Sequence, residues 1–252
     1  MATPSPFPTS PESVDKGILL ATLPNLSTPH FLGSVVTAAA IQTRHRLVIV
    51  LFSRHFNTSH RPRGGIGTVL GDVQTLSHTD TWDSVQRILT FVYVNATKAA
   101  QALNKVLMDV DVLLKGLDED LDPHLGDGID IVFRVSGGTC AFRLCILRTT
   151  NLSRPPDSIA VPLPESLSDT RQCFLPAGDR NPDFREFSTT GSPATSGAPA
   201  KPHFYPVVAL GGTFDHLHAG HKILLAMGAW ITKEKLIVGV TGTLHRGFVQ
   251  AC

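Results

Sequence analysis

The stretch from Pro206 to Thr241, PVVALGGTFDHLHAGHKILLAMGAWITKEKLIVGVT, constrains the fold more than any other part of this chain. Its parts come in the order strand, glycine turn, helix, strand. Val207 to Leu210 is a short apolar first strand, and Gly211 and Gly212 let the backbone turn sharply where a side chain would hinder a close approach. A helix then starts near His218 to Gly220. Ile223, Leu224, Met227, Trp230 and Ile231 recur at three- and four-residue steps and predict a face packed on the sheet, with Lys233 to Lys235 closing the helix. Leu236 to Val240 is a wholly apolar run, as a buried parallel strand requires. The pattern predicts one right-handed βαβ unit with its ligand site at the carboxyl end of the first strand, where the helix N-terminus points.

Such a site suits a polyphosphate. Unpaired helix N–H groups and the positive end of the helix dipole attract anions. His218 and His221, three apart, project to neighbouring positions on one side of the helix start, so two imidazoles would face one phosphate chain. The plain alternative is two ordinary cap histidines, which the Gly-Gly-Thr-Phe-Asp context disfavours. For Thr213 the plain alternative is a structural cap at the helix start. Asp215 is expected to fix the turn through its own side chain, and Lys222 to be a solvated helix residue.

Gly211-Gly212-Thr213-Phe214-Asp215 followed by His218-Ala219-Gly220-His221 resembles the signature of the HxGH nucleotidyltransferases. The longer string GGTFDHLHAGHKILL resembles most the eukaryotic-type phosphopantetheine adenylyltransferases, and the strong part of the resemblance covers about 36 residues. That family transfers AMP from ATP to 4′-phosphopantetheine, giving dephospho-coenzyme A and pyrophosphate. More weakly, NKVLMDVDVLLKG is similar to an N-terminal extension found before this domain in some eukaryotic members.

The resemblance implies a role for each matching residue. The Thr213 hydroxyl would hold the phosphate of phosphopantetheine, and His218 and His221 would be the catalytic pair, contacting the ATP phosphates. Gly212, Thr213, Phe214 through its backbone N–H, and Gly220 would complete the ATP-binding site. Mg²⁺ would accompany ATP. No covalent intermediate is expected, since positioning and electrostatic stabilisation of an in-line displacement carry such reactions.

The pattern also departs from the family. Only 49 residues run from Phe204 to Cys252, whereas a stand-alone domain needs about 100 to 150. After Thr241 the family continues with acidic residues and a lysine, and later with an arginine in a Ser/Thr-rich segment. Here the chain reads GTLHRGFVQAC. The expectation is a catalytic domain truncated after its first βαβ unit, through a shortened or misread gene, and inactive or poorly folded there.

Upstream, the sequence divides into a disordered tail over 1–16, an α/β or α+β module over 17–150, a proline-rich region and flexible linker over 151–203, and the transferase segment from 204. The linker is clearest at 188–202, STTGSPATSGAPAKP, and 151–185 is expected to be mostly irregular. Val85, Ile88, Leu89, Val92, Ala96, Ala99 and Leu103 predict a helix over Asp83 to Leu103, with Asp83 and Gln86 as a capping box. Val106–Leu114, Ile129–Val135 and Cys140–Leu147 predict strands. Residues 41–71 give no clear fold. Their Gly65, Gly67 and Gly71 have the wrong spacing for a dinucleotide loop, and His45, His55 and His60 beside Arg44, Arg46, Arg54, Arg61 and Arg63 read as a solvated basic loop. Asp109 and Asp111 lie two apart on a strand and could hold Mg²⁺, but an exposed strand face is the simpler reading, and the chain assigns no metal ligands of its own.

Composition narrows the partners. A net charge of +1, from 22 basic and 21 acidic side chains, gives no broad reason to expect nucleic acid or an anionic membrane. The apolar run Leu47 to Phe52 is far shorter than the roughly 20 residues a membrane span needs, and the start lacks the basic patch and apolar run of a secretory signal. Cys140, Cys145, Cys173 and Cys252 have no paired metal spacing and read as reduced thiols; the sequons at Asn25, Asn57, Asn95 and Asn151 read as chance. The expected fold is thus α/β, an N-terminal module followed by an incomplete Rossmann-like unit, in a cytoplasmic adenylyltransferase using ATP and 4′-phosphopantetheine. Its oligomeric state is open. The alternatives are another HxGH enzyme, such as a cytidylyltransferase, and a non-catalytic binding protein.

Overall fold

The computed structural model describes residues 13–57, 77–117, 119–136, 165–178, 202–241 and 247–251. Among them the chain runs β1 (Val14–Thr22), α1 (Leu32–Gln42), β2 (Thr43–Ser53), α2 (Trp82–Ala102), β3 (Asp109–Gly116), β4 (Ile131–Ser136), α3 (Glu165–Ser168) and β5 (Arg171–Pro176). The five strands form one sheet in the order β3-β2-β1-β4-β5, and every neighbouring pair is parallel. β1 therefore lies in the middle of the sheet, from which the described chain moves outward to β3, then returns across β1 to build β4 and β5. This is a Rossmann-like α/β arrangement.

Parallel strands covered on both faces lose the alternating pattern, and β1 and β2 show it: Gly17 to Ala21 and Leu47 to Ser53 are buried without a break. On one face Leu19, Leu47, Ile49, Leu51 and Phe133 pack with Val35, Val36 and Ala39 of α1 and Val85, Ile88, Leu89, Val92 and Ala96 of α2. On the other, Ile18, Leu20, Val48, Val50, Phe52 and Val132 meet Leu121 and Leu167. Where α1 ends, the Lys105 ammonium donates to the carbonyls of Ala40, Ile41 and Thr43, meeting acceptors that a helix terminus leaves unpaired.

A second sheet follows: β6 (Tyr205–Gly212), α4 (Ala219–Ile231), β7 (Thr232–Val240) and β8 (Gly247–Ala251), ordered β6-β7-β8. β6 and β7 are parallel, as a βαβ unit requires, and β8 is antiparallel to β7. Gly228 brings α4 close to β6, because a Cβ there would run into the Leu210 side chain. The opposite face of α4 packs onto the first unit. Met227 is fully buried in the same core as α1 and α2, with Ala219, Ile223, Ala226 and Trp230 partly buried around it.

Several expectations need correction. β1 begins at Val14, inside the stretch expected to be a disordered tail, and Arg44, His45 and Arg46 lie on β2 rather than in a loop. β5 and α3 occupy part of the segment expected to be irregular, because β5 extends the sheet beside β4. α2 starts after Thr81 with no side-chain cap, and Gln86 accepts from the Trp82 indole N–H instead of completing a capping box. Gly211 and Gly212 extend β6 and pair with β7 instead of forming a turn, Leu224 is exposed rather than packed, and α4 ends at Ile231, so Lys233 to Lys235 belong to β7. The predicted strand at 140–147, the glycines at 65, 67 and 71, and His60, Arg61 and Arg63 lie outside the described residues. Among the described residues no helix is long and apolar enough to cross a membrane.

Candidate functional site

The turn between β6 and α4 gathers the residues singled out by the sequence. His218 is the N-cap of α4, with extended backbone and a ring nitrogen, Nδ1, accepting the Gly220 N–H at 3.1 Å. That bond explains the glycine between the two histidines. A Cβ at 220 would stand 3.0 Å from His218 Cε1 and 3.2 Å from Nδ1, so any side chain would push the ring off the helix mouth.

One turn on, His221 lies against His218 with ring centroids 3.9 Å apart and planes at 23°. The Phe214 ring also touches His221, with centroids 4.9 Å apart and planes tilted by 57°. His221 Nδ1–H donates to the His216 carbonyl at 3.0 Å, and His216 N–H in turn meets the Asp215 carboxylate at 3.0 Å, so Asp215 fixes the turn as expected. These bonds assign the tautomers. With Nδ1 as acceptor, His218 carries its proton on Nε2; with Nδ1 as donor, His221 presents a free lone pair on Nε2. The neutral pair thus offers one donor and one acceptor.

Thr213 ends the turn on the strand side. Its hydroxyl lies 3.1 Å from the hydroxyl of Thr241, whose own Oγ1 and N–H both donate to the Gly212 carbonyl, at 3.3 and 3.2 Å. Thr241 therefore ties the end of β7 to the end of β6 and sets the Thr213 side chain. It was not singled out in the sequence, although its position just past the Gly212–Val240 pairing marks it as the carboxyl end of the next parallel strand.

Lys222 does not lie free in solvent as expected. Its ammonium donates to Asp109 Oδ1, to Asp111 Oδ1 at 2.7 Å and to the Val110 carbonyl at 2.8 Å, all on β3. Arg46 Nη2 takes the other oxygen of Asp111 at 3.1 Å. The Asp109 and Asp111 carboxylates are thus engaged by cations of the chain. Among the described residues no group of three or more His, Cys, Asp or Glu side chains is arranged to hold a metal ion. A cavity of about 480 Å³ runs from His218, Leu217 and Gly220 past Lys222 and Asp109 towards Tyr93 and Gln101 of α2, so space adjoins the helix mouth on the side of the first unit. A larger open depression, about 700 Å³, lies over Arg87, Phe91 and Val94 of α2, away from the histidines.

The chain contains a short region similar to a nucleotidyltransferase. The relative that defines that class is the phosphopantetheine adenylyltransferase of Saccharomyces cerevisiae, 60% identical over 37 residues, which are 15% of this chain and 12% of the yeast protein. An uncharacterized protein of Schizosaccharomyces pombe is 61% identical over 36 residues, 14% of this chain and 11% of its own length. The match thus spans about an eighth or less of either relative. No family model matches the chain. No solved structure matches it.

Proposed function

We propose that the β6-to-β7 segment is the phosphate-handling start of a cytoplasmic adenylyltransferase, one that moves AMP from ATP to 4′-phosphopantetheine. The observation that carries this reading is the stacked pair His218 and His221 at the mouth of α4, each Nδ1 bonded to the main chain, just past the carboxyl end of β6. A phosphate oxygen of phosphopantetheine attacks the α-phosphorus of ATP, a new P–O bond forms, the bond to the β-phosphate bridge breaks, and pyrophosphate leaves with that electron pair. No proton need move, because the attacking phosphate is already anionic.

The chain's own residues would hold charge in place. His218 Nε2–H and the His221 imidazole contact the ATP phosphates as charge shifts onto the leaving group, and the Phe214 N–H together with Gly212 and Gly220, which carry no side chain, let the backbone approach the same oxygens. The Thr213 hydroxyl holds the phosphate of phosphopantetheine. Mg²⁺ arrives with ATP, as part of that substrate.

The test is pyrophosphate release by the 252-residue chain from ATP, Mg²⁺ and 4′-phosphopantetheine, run beside CTP with phosphocholine. Release that needs ATP and phosphopantetheine supports the proposal. Release with CTP alone would assign a cytidylyltransferase, ATP binding without turnover would assign a binding protein, and neither binding nor turnover would remove the reading.

A further inference from the structure

We infer that the first, five-stranded unit positions the histidine pair, and that Lys222 is the positioning residue that transmits this. The functional meaning rests on the transferase reading, whereas the positioning itself does not. Lys222 follows His221 directly, within the first turns of α4. All three of its ammonium protons have partners, and all three partners sit on β3, more than a hundred residues earlier in the chain.

β3 is an edge of the larger sheet, and an edge strand presents main-chain groups with no neighbouring strand to pair them. Two such groups are met by side chains of helices. The Val112 N–H donates to the Tyr93 hydroxyl of α2 at 3.1 Å, and the Val110 carbonyl accepts from Lys222 of α4. Lys222 therefore substitutes for part of a missing strand, which fixes it in direction as well as distance. The two carboxylates on either side of Val110 neutralise its charge, and Arg46 on β2 holds the second oxygen of Asp111, so the acceptor is braced by the sheet. The Lys222 side chain is only 14% exposed, while Asp109 remains 52% exposed: the cation is the buried member of the pair.

Ala219 and Ile223 add partly buried apolar contacts near the start of α4, but such contacts are non-directional. Met227 and Trp230 seat the later turns of α4, and Trp230 is further locked to His78 by stacking at 3.7 Å. The first turn, which carries His218 and His221, is exposed on its outer side, and the three bonds of Lys222 are its polar anchor to the first unit. Sub-ångström placement of such groups matters for a displacement reaction, where a shift of about 1 Å can cost on the order of 10²-fold in rate.

The test reads the ring Hε1 resonances of His218, His221 and His78 by NMR at fixed pH, in the 252-residue chain, with Lys222→Met, Lys222→Arg and the double change Asp109→Asn with Asp111→Asn. We expect Lys222→Met and the double asparagine variant each to shift His218 and His221 while His78, at the far end of the helix, stays put, and Lys222→Arg to restore most of the original spectrum. Unmoved His218 and His221 resonances would overturn the inference, and so would a shift of all three rings together, which marks general undocking of α4. If Lys222→Met does not fold, the double asparagine variant decides by the same criteria. ATP binding is measured alongside: rings that move in a protein that binds no ATP keep the positioning role and sink the transferase reading instead.

Discussion

His78 and Trp230 hold each other by three contacts. Their rings are stacked with centroids 3.7 Å apart and planes at 15°, His78 Nδ1–H donates to the Trp230 carbonyl at 2.6 Å, and the Trp230 indole N–H donates to the His78 carbonyl at 3.1 Å. Phe56 adds an edge contact to Trp230 at 5.6 Å. Two residues 152 positions apart thus fasten the end of α4 to the first unit. His78→Ala removes the stack and one bond and leaves the tryptophan face bare, so it should cost about 1–3 kcal/mol in urea denaturation. A double-mutant cycle with Trp230→Phe should show the two changes to be non-additive. Additive costs would mean that the pair is not coupled.

His221→Ala should lower adenylyl transfer by about 10²- to 10³-fold, the range for loss of one donor that stabilises developing charge. The ring is held by one bond to His216 and by stacking, on a partly exposed surface, so the melting temperature should change little. Unchanged turnover, measured as pyrophosphate release, would remove the proposed role.

Lys222 makes a prediction about alkaline pH. Burial pushes its ammonium pKa down, but the hydrogen bonds to Asp109 and Asp111 and their charges together push it further up, so the net value lies above the ordinary 10.5. A raised folded value means that the folded protein holds this proton more tightly than the unfolded chain. Its contribution to stability is therefore complete below about pH 10.5 and is lost as pH climbs through the folded value. The stability gap between the natural chain and Lys222→Met should be flat from neutral pH to pH 10 and shrink above it. Tyr93 acts in the same direction, since burial raises its phenol above 10.0, and it does not cancel from the comparison, because the Lys222 charge holds it down and Lys222→Met removes that charge.

Gly17→Ala should destabilise the centre of the larger sheet by about 1–3 kcal/mol. The added methyl would stand 2.8 Å from Phe133 Cε2 and 2.8 Å from Thr43 Oγ1. Neither can yield cheaply: Phe133 is fully buried, and the Thr43 hydroxyl donates to the Ala39 carbonyl at 2.9 Å where α1 ends. Equal midpoints for Gly17→Ala and the natural chain in denaturant titration would show that the core has room there.

Elements whose apolar residues repeat with a clear period were legible in the sequence. α2 was expected over Asp83 to Leu103 and runs from Trp82 to Ala102, and β3, β4, β6 and β7 each overlap the run that predicted them. α1 escaped because its sequence, LGSVVTAAAIQ, is small and apolar nearly all round, which leaves no polar stripe to reveal a helical period. β2 was obscured by its charged start, where Arg44, His45 and Arg46 precede the apolar run. In the site, the contiguous string around His218 and His221 was readable because residues close in sequence are close in space. Lys222 was not, since its partners on β3 are over a hundred residues away and its role depends on how two sheets dock.

The central place of β1 has a consequence for how this chain is made. One side of β1 pairs with β2, about thirty residues later, but the other side waits for β4, more than a hundred residues on. A polypeptide emerging from the ribosome therefore carries an apolar strand, Ile18-Leu19-Leu20-Ala21, with one flank open for seconds at ordinary elongation speeds. Long-range parallel pairing is also slow in itself. During that interval the open flank is a surface on which a second copy could pair.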